Sequence, residues 1–336
     1  MIRVVSLFSG SLASIIATKL IQREEKIDEL KLIHFRSPFF RDYDRTKQLT
    51  REIWENPDFR SQSVKKEFRK VANIHNGTYN LKSSCIGCRK LLIAKGLRYM
   101  ERVKADFLIT GEIVGVRGLG EMEMIEIVEA VGSGDRVLRP LSARLLPETL
   151  PERNGWVNHE HLKRLRYGEV DELRRLAREL EIDVEGFSAE ARCKLTQRNF
   201  GQRLEDLFQE KEFSMNALEL LEFDLYYKKQ PDVKIVLGRD DEEKRKLQTF
   251  FLPEDLRIYV PTYKGPMTLV RTNWQEKSGV EVEEIIKLAA EITASHADVK
   301  GYAKVRANYR FESKNETFGI TVSPMPKEEL AKYYLS

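Results

Sequence analysis

Residues 4–21 read Val4-Val5-Ser6-Leu7-Phe8-Ser9-Gly10-Ser11-Leu12-Ala13-Ser14-Ile15-Ile16-Ala17-Thr18-Lys19-Leu20-Ile21, and this stretch decides the fold class. The apolar run 4–8 has strand character, and Ser9-Gly10-Ser11 is a turn of small residues. The apolar spacing from Leu12 onward predicts a helix packed on a sheet. Small residues between a strand and its helix leave backbone N–H groups free to face an anion, and the helix N-terminus adds its positive end. The plainer alternative is a tight strand-to-helix turn with Ser9 or Ser11 as N-cap.

Working outward, strands are expected at 30–35, 105–110 and 137–141, and helices at 46–54, 86–103 and 169–180. The segment 64–71 suits either. Strands alternating with helices argue for a parallel α/β sheet. The pattern changes near residue 210. Strands are then expected at 233–238, 256–261, 267–271, 303–311 and 318–322, with helices at 241–250 and 282–295. This is an α+β pattern, so the chain divides into a domain over 1–210 and a smaller one over 211–336.

The 336 residues are 41% hydrophobic and 33% charged, and 57 Lys and Arg against 53 Asp and Glu leave a net charge of +4. That balance neither requires nor excludes a nucleic-acid partner. Residues 211–336 carry 20 Lys and Arg against 21 Asp and Glu, which leaves 37 against 32 in residues 1–210. No apolar run approaches the ~20 residues of a membrane span, and the run at the N-terminus is too short for a signal peptide. No membrane association and a cytoplasmic location are expected.

Three cysteines exclude a disulfide framework and suggest a reducing compartment. Cys85 and Cys88 form C-x-x-C, and Cys193 lies far away in sequence. They could be buried thiols, a redox pair, or part of a metal site. Zinc would need a completing histidine, for which His75, His159 and His161 are the choices. Three thiolates alone suffice for a [4Fe–4S] cluster with one iron left open. Arg89 and Lys90 follow Cys88, Arg192 and Lys194 flank Cys193, and Lys163, Arg164 and Arg166 begin a basic stretch continued by Arg174, Arg175 and Arg178. These are either a solvated surface or phosphate contacts.

The segment Leu7-Phe8-Ser9-Gly10-Ser11-Leu12-Ala13-Ser14 resembles the pyrophosphate loop of PP-loop ATPases. Cys85-Ile86-Gly87-Cys88, Ala105-Asp106-Phe107-Leu108-Ile109-Thr110-Gly111-Glu112, Leu138-Arg139-Pro140-Leu141-Ser142, Leu145-Leu146-Pro147-Glu148-Thr149 and Cys193–Phe200 follow in the order of the tRNA thiouridine synthases. The resemblance implies an α/β fold, a parallel-sheet PP-loop domain of the Rossmann-like adenine nucleotide alpha hydrolase kind. It implies ATP and Mg²⁺ at Ser9, Gly10, Ser11, Ser14 and Gly111, and adenylylation of a tRNA uridine. Sulfur would be carried at Cys85, Cys88 and Cys193, on a cluster or by persulfide chemistry. The donor would be inorganic sulfide or a sulfur-carrier protein. Two positions depart from the pattern. Ser11 replaces the second loop glycine, and Ala13 replaces the loop aspartate. A rival reading follows, in which the protein binds RNA and a cluster without ATP turnover.

Residues 233–271 resemble the RNA-binding domain named for the NFACT proteins. Asp240 stands where Asn is expected, Tyr259 and Pro261 replace an aromatic residue and a His, and Thr268 replaces a second His. RNA binding there would use a local patch from Arg239, Lys264, Arg271, Lys304, Arg306 and Arg310, with Tyr263 or Tyr302 stacking on bases. Packing, or assembly into a homodimer, is the other role open to this domain.

Overall fold

The computed structural model describes residues 1–335 apart from 38, 41–42, 65–66, 68–70, 72–73, 76–77, 133, 184–192, 211–213 and 300–303. It divides into two compact units, Met1–Gln197 and Arg198–Ser336. The division falls at 197/198, whereas the composition shift suggests 210/211. The helix Arg198–Phe208 therefore belongs with the second unit.

The first unit is built on strands β1 (Ile2–Leu7), β2 (Ile27–Arg36), β3 (Asp58–Ser63), β4 (Phe107–Thr110) and β5 (Val137–Leu138), ordered β3-β2-β1-β4-β5. Every pairing in it is parallel, as the alternation of strands and helices predicts. Strand β3, Asp-Phe-Arg-Ser-Gln-Ser, has no apolar alternation. It is an edge strand, partly exposed on both faces, so it carries no sequence signal of its own.

Helices α1 (Leu12–Gln22), α2 (Tyr43–Ile53), α3 (Leu81–Arg102), α4 (Glu121–Glu129) and α5 (Val170–Glu179) belong to the same unit, with a one-turn helix at Leu150–Arg153 between the last two. Helix α1 lies on one face, where the Ser6 hydroxyl bonds that of Thr18 at 2.8 Å. Helix α3 lies on the other. Its Gly96 sits so close to Leu7 and Leu108 that a Cβ would stand 3.1 Å from each. Strand β1 thus has β2 on one side and β4 on the other, and the chain crosses to opposite faces of the sheet. In this arrangement the crevice beyond the carboxyl ends of the central strands is the place for a ligand.

The second unit begins with α6 (Arg198–Phe208) and α7 (Met215–Leu220). Strands β6 (Leu225–Lys229) and β7 (Val233–Gly238), helix α8 (Asp241–Gln248), strands β8 (Leu256–Tyr259) and β9 (Met267–Arg271), helix α9 (Gly279–Ser295) and strands β10 (Val305–Phe311) and β11 (Phe318–Val322) follow. The sheet order is β11-β10-β8-β9-β7-β6, with every neighbour antiparallel. Leu256, Ile258, Val270, Val305 and Ala307 face α9 and form the core with Ile285, Ala289 and Ile292. Among the described residues, no helix is long and apolar enough to cross a membrane.

Candidate functional site

The turn after β1 is held by its own hydroxyls. Ser11 is the N-cap of α1, and its Oγ accepts from the Ser14 amide at 3.3 Å. The Ser14 hydroxyl donates to the Ser11 carbonyl at 2.9 Å, and the Ser9 and Ser11 hydroxyls lie 3.0 Å apart. Gly10 has φ +79°, and a Cβ there would stand 2.7 Å from Thr46 Oγ1. Gly111 ends β4 against the first turn of α1, where a Cβ would come within 2.5 Å of the Ser14 amide nitrogen. Only glycine lets these two chain segments meet.

A cavity of about 190 Å³ opens beside this turn. Ser9, Ser11, Ala13 and Gly111 line one part of it, and Cys85, Cys88 and Cys193 line another. Gly10 and Ser14 are not among the described lining residues. Segments distant in sequence therefore form a single pocket at the carboxyl ends of β1 and β4, and it lies wholly within the first unit.

Cys85 and Cys88 sit in the second and third turns of α3, one turn apart, so they share a helix face. Cys193 reaches them because its backbone bridges to Phe40, with the Lys194 amide donating to the Phe39 carbonyl at 2.8 Å. All three thiols are buried, and none is paired in a disulfide. Burial pushes the Cys88 thiol far above its ordinary range, and the nearby Cys193 sulfur adds to this. Burial also raises Cys193, while the Arg117 charge pulls the other way.

Arg117 carries no motif signal, yet its guanidinium lies against these sulfurs. Its Nη1 donates to Cys85 Sγ at 3.6 Å. It is presented by a turn in which Gly115 and Gly118 have φ +95° and +71° and Arg117 itself has φ +58°. A left-handed backbone is unfavourable for a residue with a Cβ, by ~1–2 kcal/mol. Here that conformation directs a guanidinium at buried thiols.

A second charged group lines the pocket. Glu112 accepts from Arg89 Nε at 2.7 Å and from Arg139 Nε at 2.9 Å. Burial acts to raise the Glu112 pKa, but Arg139 and Arg89 outweigh it and hold the carboxyl below its ordinary range. Arg139 is buried and also donates to the Met124 carbonyl at 3.1 Å. Ser142, from the same run of sequence, accepts from the Val114 amide at 3.0 Å and donates to the Leu165 carbonyl at 2.7 Å. The Arg-Pro-Leu-Ser run thus braces the pocket from behind.

The basic residues named from the sequence have several fates. Arg89 lines the pocket and pairs with Glu112. Lys90 and Lys163 are partly exposed and Arg164 is exposed. Arg166 is exposed and pairs with Glu121 at 2.6 Å. Arg175 pairs with Glu172 and Glu179 along α5.

In the second unit, Arg239 is exposed but pairs with Asp224 at 2.6 Å and Glu243 at 2.9 Å. Lys264 is exposed. Arg271 is drawn inside, with two bonds to the buried carboxylate of Asp255 at 2.8 and 2.6 Å. Tyr263 packs on the α9 core. Arg192, Tyr302 and the side chain of His75 lie outside the described set. His159 and His161 bond Glu152 and Glu24, away from the cysteines. Among the described residues, no three His, Cys, Asp or Glu side chains are grouped so as to hold one metal ion.

No curated protein matches this chain. Solved structures similar to this chain include the U34-tRNA thiolase NcsA from Methanococcus maripaludis with its [4Fe-4S] cluster, at 17% identity and TM-score 0.32, covering 65% of this chain and 69% of that one. NMN synthetase from Francisella tularensis is similar at 13% identity and TM-score 0.33, covering 65% and 83%. The C-terminal part of the fibronectin/fibrinogen-binding protein from Streptococcus suis is similar at 11% identity and TM-score 0.29, covering 49% and 73%. Residues 226–334 match a family model described as NFACT protein RNA binding domain, and they make up most of the second unit.

Proposed function

We propose that the protein is a tRNA sulfurtransferase that thiolates a uridine at the expense of ATP. The single observation carrying this reading is the shared pocket. A helix N-terminus and a hydroxyl-lined turn suited to phosphate adjoin three cysteine sulfurs in one cavity. The two chemistries that thiolation must join are thereby adjacent. The family match over residues 226–334 supports RNA as the partner.

In this reading the uridine oxygen attacks the α-phosphorus of ATP, an O–P bond forms, and pyrophosphate leaves. Sulfide then attacks the activated carbon, the C–O bond breaks, and AMP departs. The turn at Ser9–Ser11 and the N-terminus of α1 hold the phosphates through backbone N–H groups and the Ser9 hydroxyl. Arg117 supplies positive charge beside the incoming anion. Glu112, fixed by two arginines, keeps Arg89 and the end of β4 in position and is not free to act as a base.

The donor set fits a [4Fe–4S] cluster. Three buried thiols line one cavity, and cluster ligands bind separate irons, so they stand farther apart than ligands of a single ion. Zinc would need a histidine to complete its set, and among the described residues His159 and His161 bond Glu152 and Glu24 instead. When bound, the cluster would supply an open iron for gathering sulfide. Cys85, Cys88 and Cys193 would hold it. Protein-held Mg²⁺ fits less well, because Glu112 is the only carboxylate among the described lining residues and two arginines occupy it. The sulfur source, inorganic sulfide or a carrier protein, and a homodimeric state are parts of the same proposal.

Mass spectrometry of tRNA from a deletion strain tests the reading. Loss of one thionucleoside, restored by the wild-type gene and not by Cys85→Ala, is the expected result, and unchanged thionucleosides refute it. One observation favours the rival reading. Ala13 is packed in the apolar cluster of α1, where a loop carboxylate would otherwise stand. A binding protein without turnover would release no AMP and pyrophosphate from ATP in the presence of tRNA, and measuring both products decides between the two.

A further inference from the structure

Most cations of the second unit are already committed. Lys228 pairs with Asp206, Lys234 with Glu210, Arg257 with Glu312, Lys277 with Asp232, and Arg271 with Asp255. Arg203 is buried and donates to the carbonyls of Leu221, Phe223, Asp224 and Leu335. Among the described residues, the side chains of Arg306, Asn308 and Tyr259 form no hydrogen bond or ion pair, and together they make one surface.

Their placement follows from register. Tyr259 pairs with Asn308 across β8 and β10, and Asn308 pairs with Gly319 across β10 and β11. The three residues form one row across the sheet. Arg306 is two positions from Asn308 and points to the same side. Its guanidinium lies over the end of the row, since a Cβ on Gly319 would stand 2.7 Å from Arg306 Nε and 2.8 Å from Nη2. Glycine at 319 is what lets the planar group lie flat on the sheet.

This face is the one turned away from α9. Leu256, Ile258, Val305 and Ala307 point into the α9 core, so alternation sends Tyr259, Arg306, Asn308 and Arg310 to the other side. The preceding helices cover that side over β6, β7 and β9, where Leu269 is fully buried and Asn216 of α7 accepts from Arg271 Nη1 at 2.8 Å. Asp206 and Glu210, on and just after α6, bind Lys228 and Lys234, and the first turn of α8 is seated on Gly238, where a Cβ would meet Glu243 backbone at 2.9 Å. Over β10 and β11 the face is open, with Lys304, Arg306, Gly319 and Thr321 exposed.

We infer that this open face binds unpaired RNA nucleotides, with Tyr259 stacking on a base, Asn308 bonding a base edge and Arg306 holding a phosphate or covering a second base. The inference rests on RNA being the partner of this unit and names the surface that meets it. The chemistry favours single strands, because only unpaired bases offer both their faces and their edges to an aromatic ring and an amide. Lys304, exposed just before β10, adds positive charge beside the row, whereas Arg310 faces Glu312 at 3.9 Å. The face does not include Arg239, Arg271 or Tyr263, whose side chains are engaged elsewhere.

Fluorescence anisotropy of the full chain with a labelled single-stranded RNA, and with a blunt RNA duplex, tests the inference over a range of salt. The single strand is expected to bind more tightly. Tyr259→Ala is expected to weaken binding about tenfold, in line with the loss of one stacked base. Arg306→Ala is expected to weaken it and to reduce the magnitude of the log–log salt slope by ~0.7, the value for one phosphate contact on a single strand. Gly319→Val displaces the guanidinium without changing charge, and it too should weaken binding. Lys244→Ala, on α8, removes a cation elsewhere and should have no effect. If wild-type protein binds neither RNA, the RNA reading of the unit fails. If it binds but Tyr259→Ala, Arg306→Ala and Gly319→Val bind equally well, this inference fails and RNA remains the partner. Preference for the duplex likewise overturns it.

Discussion

The Arg117 guanidinium donates to the Cys85 sulfur at 3.6 Å from a residue whose own backbone is left-handed, at φ +58°. The fold accepts a left-handed backbone at Arg117 to place a cation against a buried thiol. Local strain of this kind gathers where a side chain must be aimed. Arg117→Gly separates the two effects. It relaxes the backbone and should raise unfolding stability by up to ~1 kcal/mol, measured by urea melts. Thionucleoside yield should nevertheless fall at least tenfold. A variant that keeps full yield would leave the guanidinium without a role.

Glu112 gives a pH prediction. Burial acts to raise its pKa, and Arg139 and Arg89 outweigh burial, so its folded value lies below the unfolded one. The stabilisation is therefore complete above the unfolded carboxylate pKa of ~4.3 and is lost as pH falls through the lower folded value. Glu112→Gln should flatten the acid limb of the stability curve. At neutral pH it should cost ~3–5 kcal/mol, because Arg139 is left buried without its partner. Melts from pH 2 to 7 check both statements, and parallel curves for the two proteins would contradict them.

Gly111→Ala addresses the meeting of β4 and α1. The added methyl would lie 2.5 Å from the Ser14 amide nitrogen, a backbone atom of the helix with little room to move. Overpacking of this kind costs ~1–3 kcal/mol. Separation of the two segments should also weaken ATP binding, read by calorimetry on protein that remains folded. Unchanged affinity would mean that the approach is needed for packing alone.

Arg271 and Arg239 have the same sequence credentials and should behave differently. Arg271→Ala leaves the Asp255 carboxylate buried and unpaired, so a loss of ~3–5 kcal/mol is expected. Arg239 is half exposed in its pairs with Asp224 and Glu243, and its replacement by alanine should cost no more than ~1 kcal/mol. Thermal melts of the two variants side by side provide the check.

Much of this was legible beforehand. The run from Val4 to Ile21 announces strand, turn and helix because apolar periodicity and small residues act locally. Helix α3 was expected from residue 86 and begins at Leu81, with Asn80 as its cap, so the C-x-x-C lies inside the helix. Strand β3 was missed because an edge strand without an apolar face has no periodicity to read. Arg117 and Glu112 were missed as a pair around the pocket because neither lies in a chemically distinctive spacing. Gly115 and Gly118 around Arg117 were the only local signal available.

The sequence by itself determined the types of the strongly periodic elements, the parallel class of the first unit and the residue kinds able to bind phosphate and sulfur. Those properties depend on neighbours along the chain, through periodicity, capping and side-chain chemistry. Only the tertiary structure decided that Cys193 joins Cys85 and Cys88 beside the Ser9–Ser11 turn, through a backbone bridge to Phe40. It also decided which arginines are held by carboxylates and which remain on an open face. Charge pairing and burial depend on distances between remote segments, and a count of +4 over the chain contains no such distances.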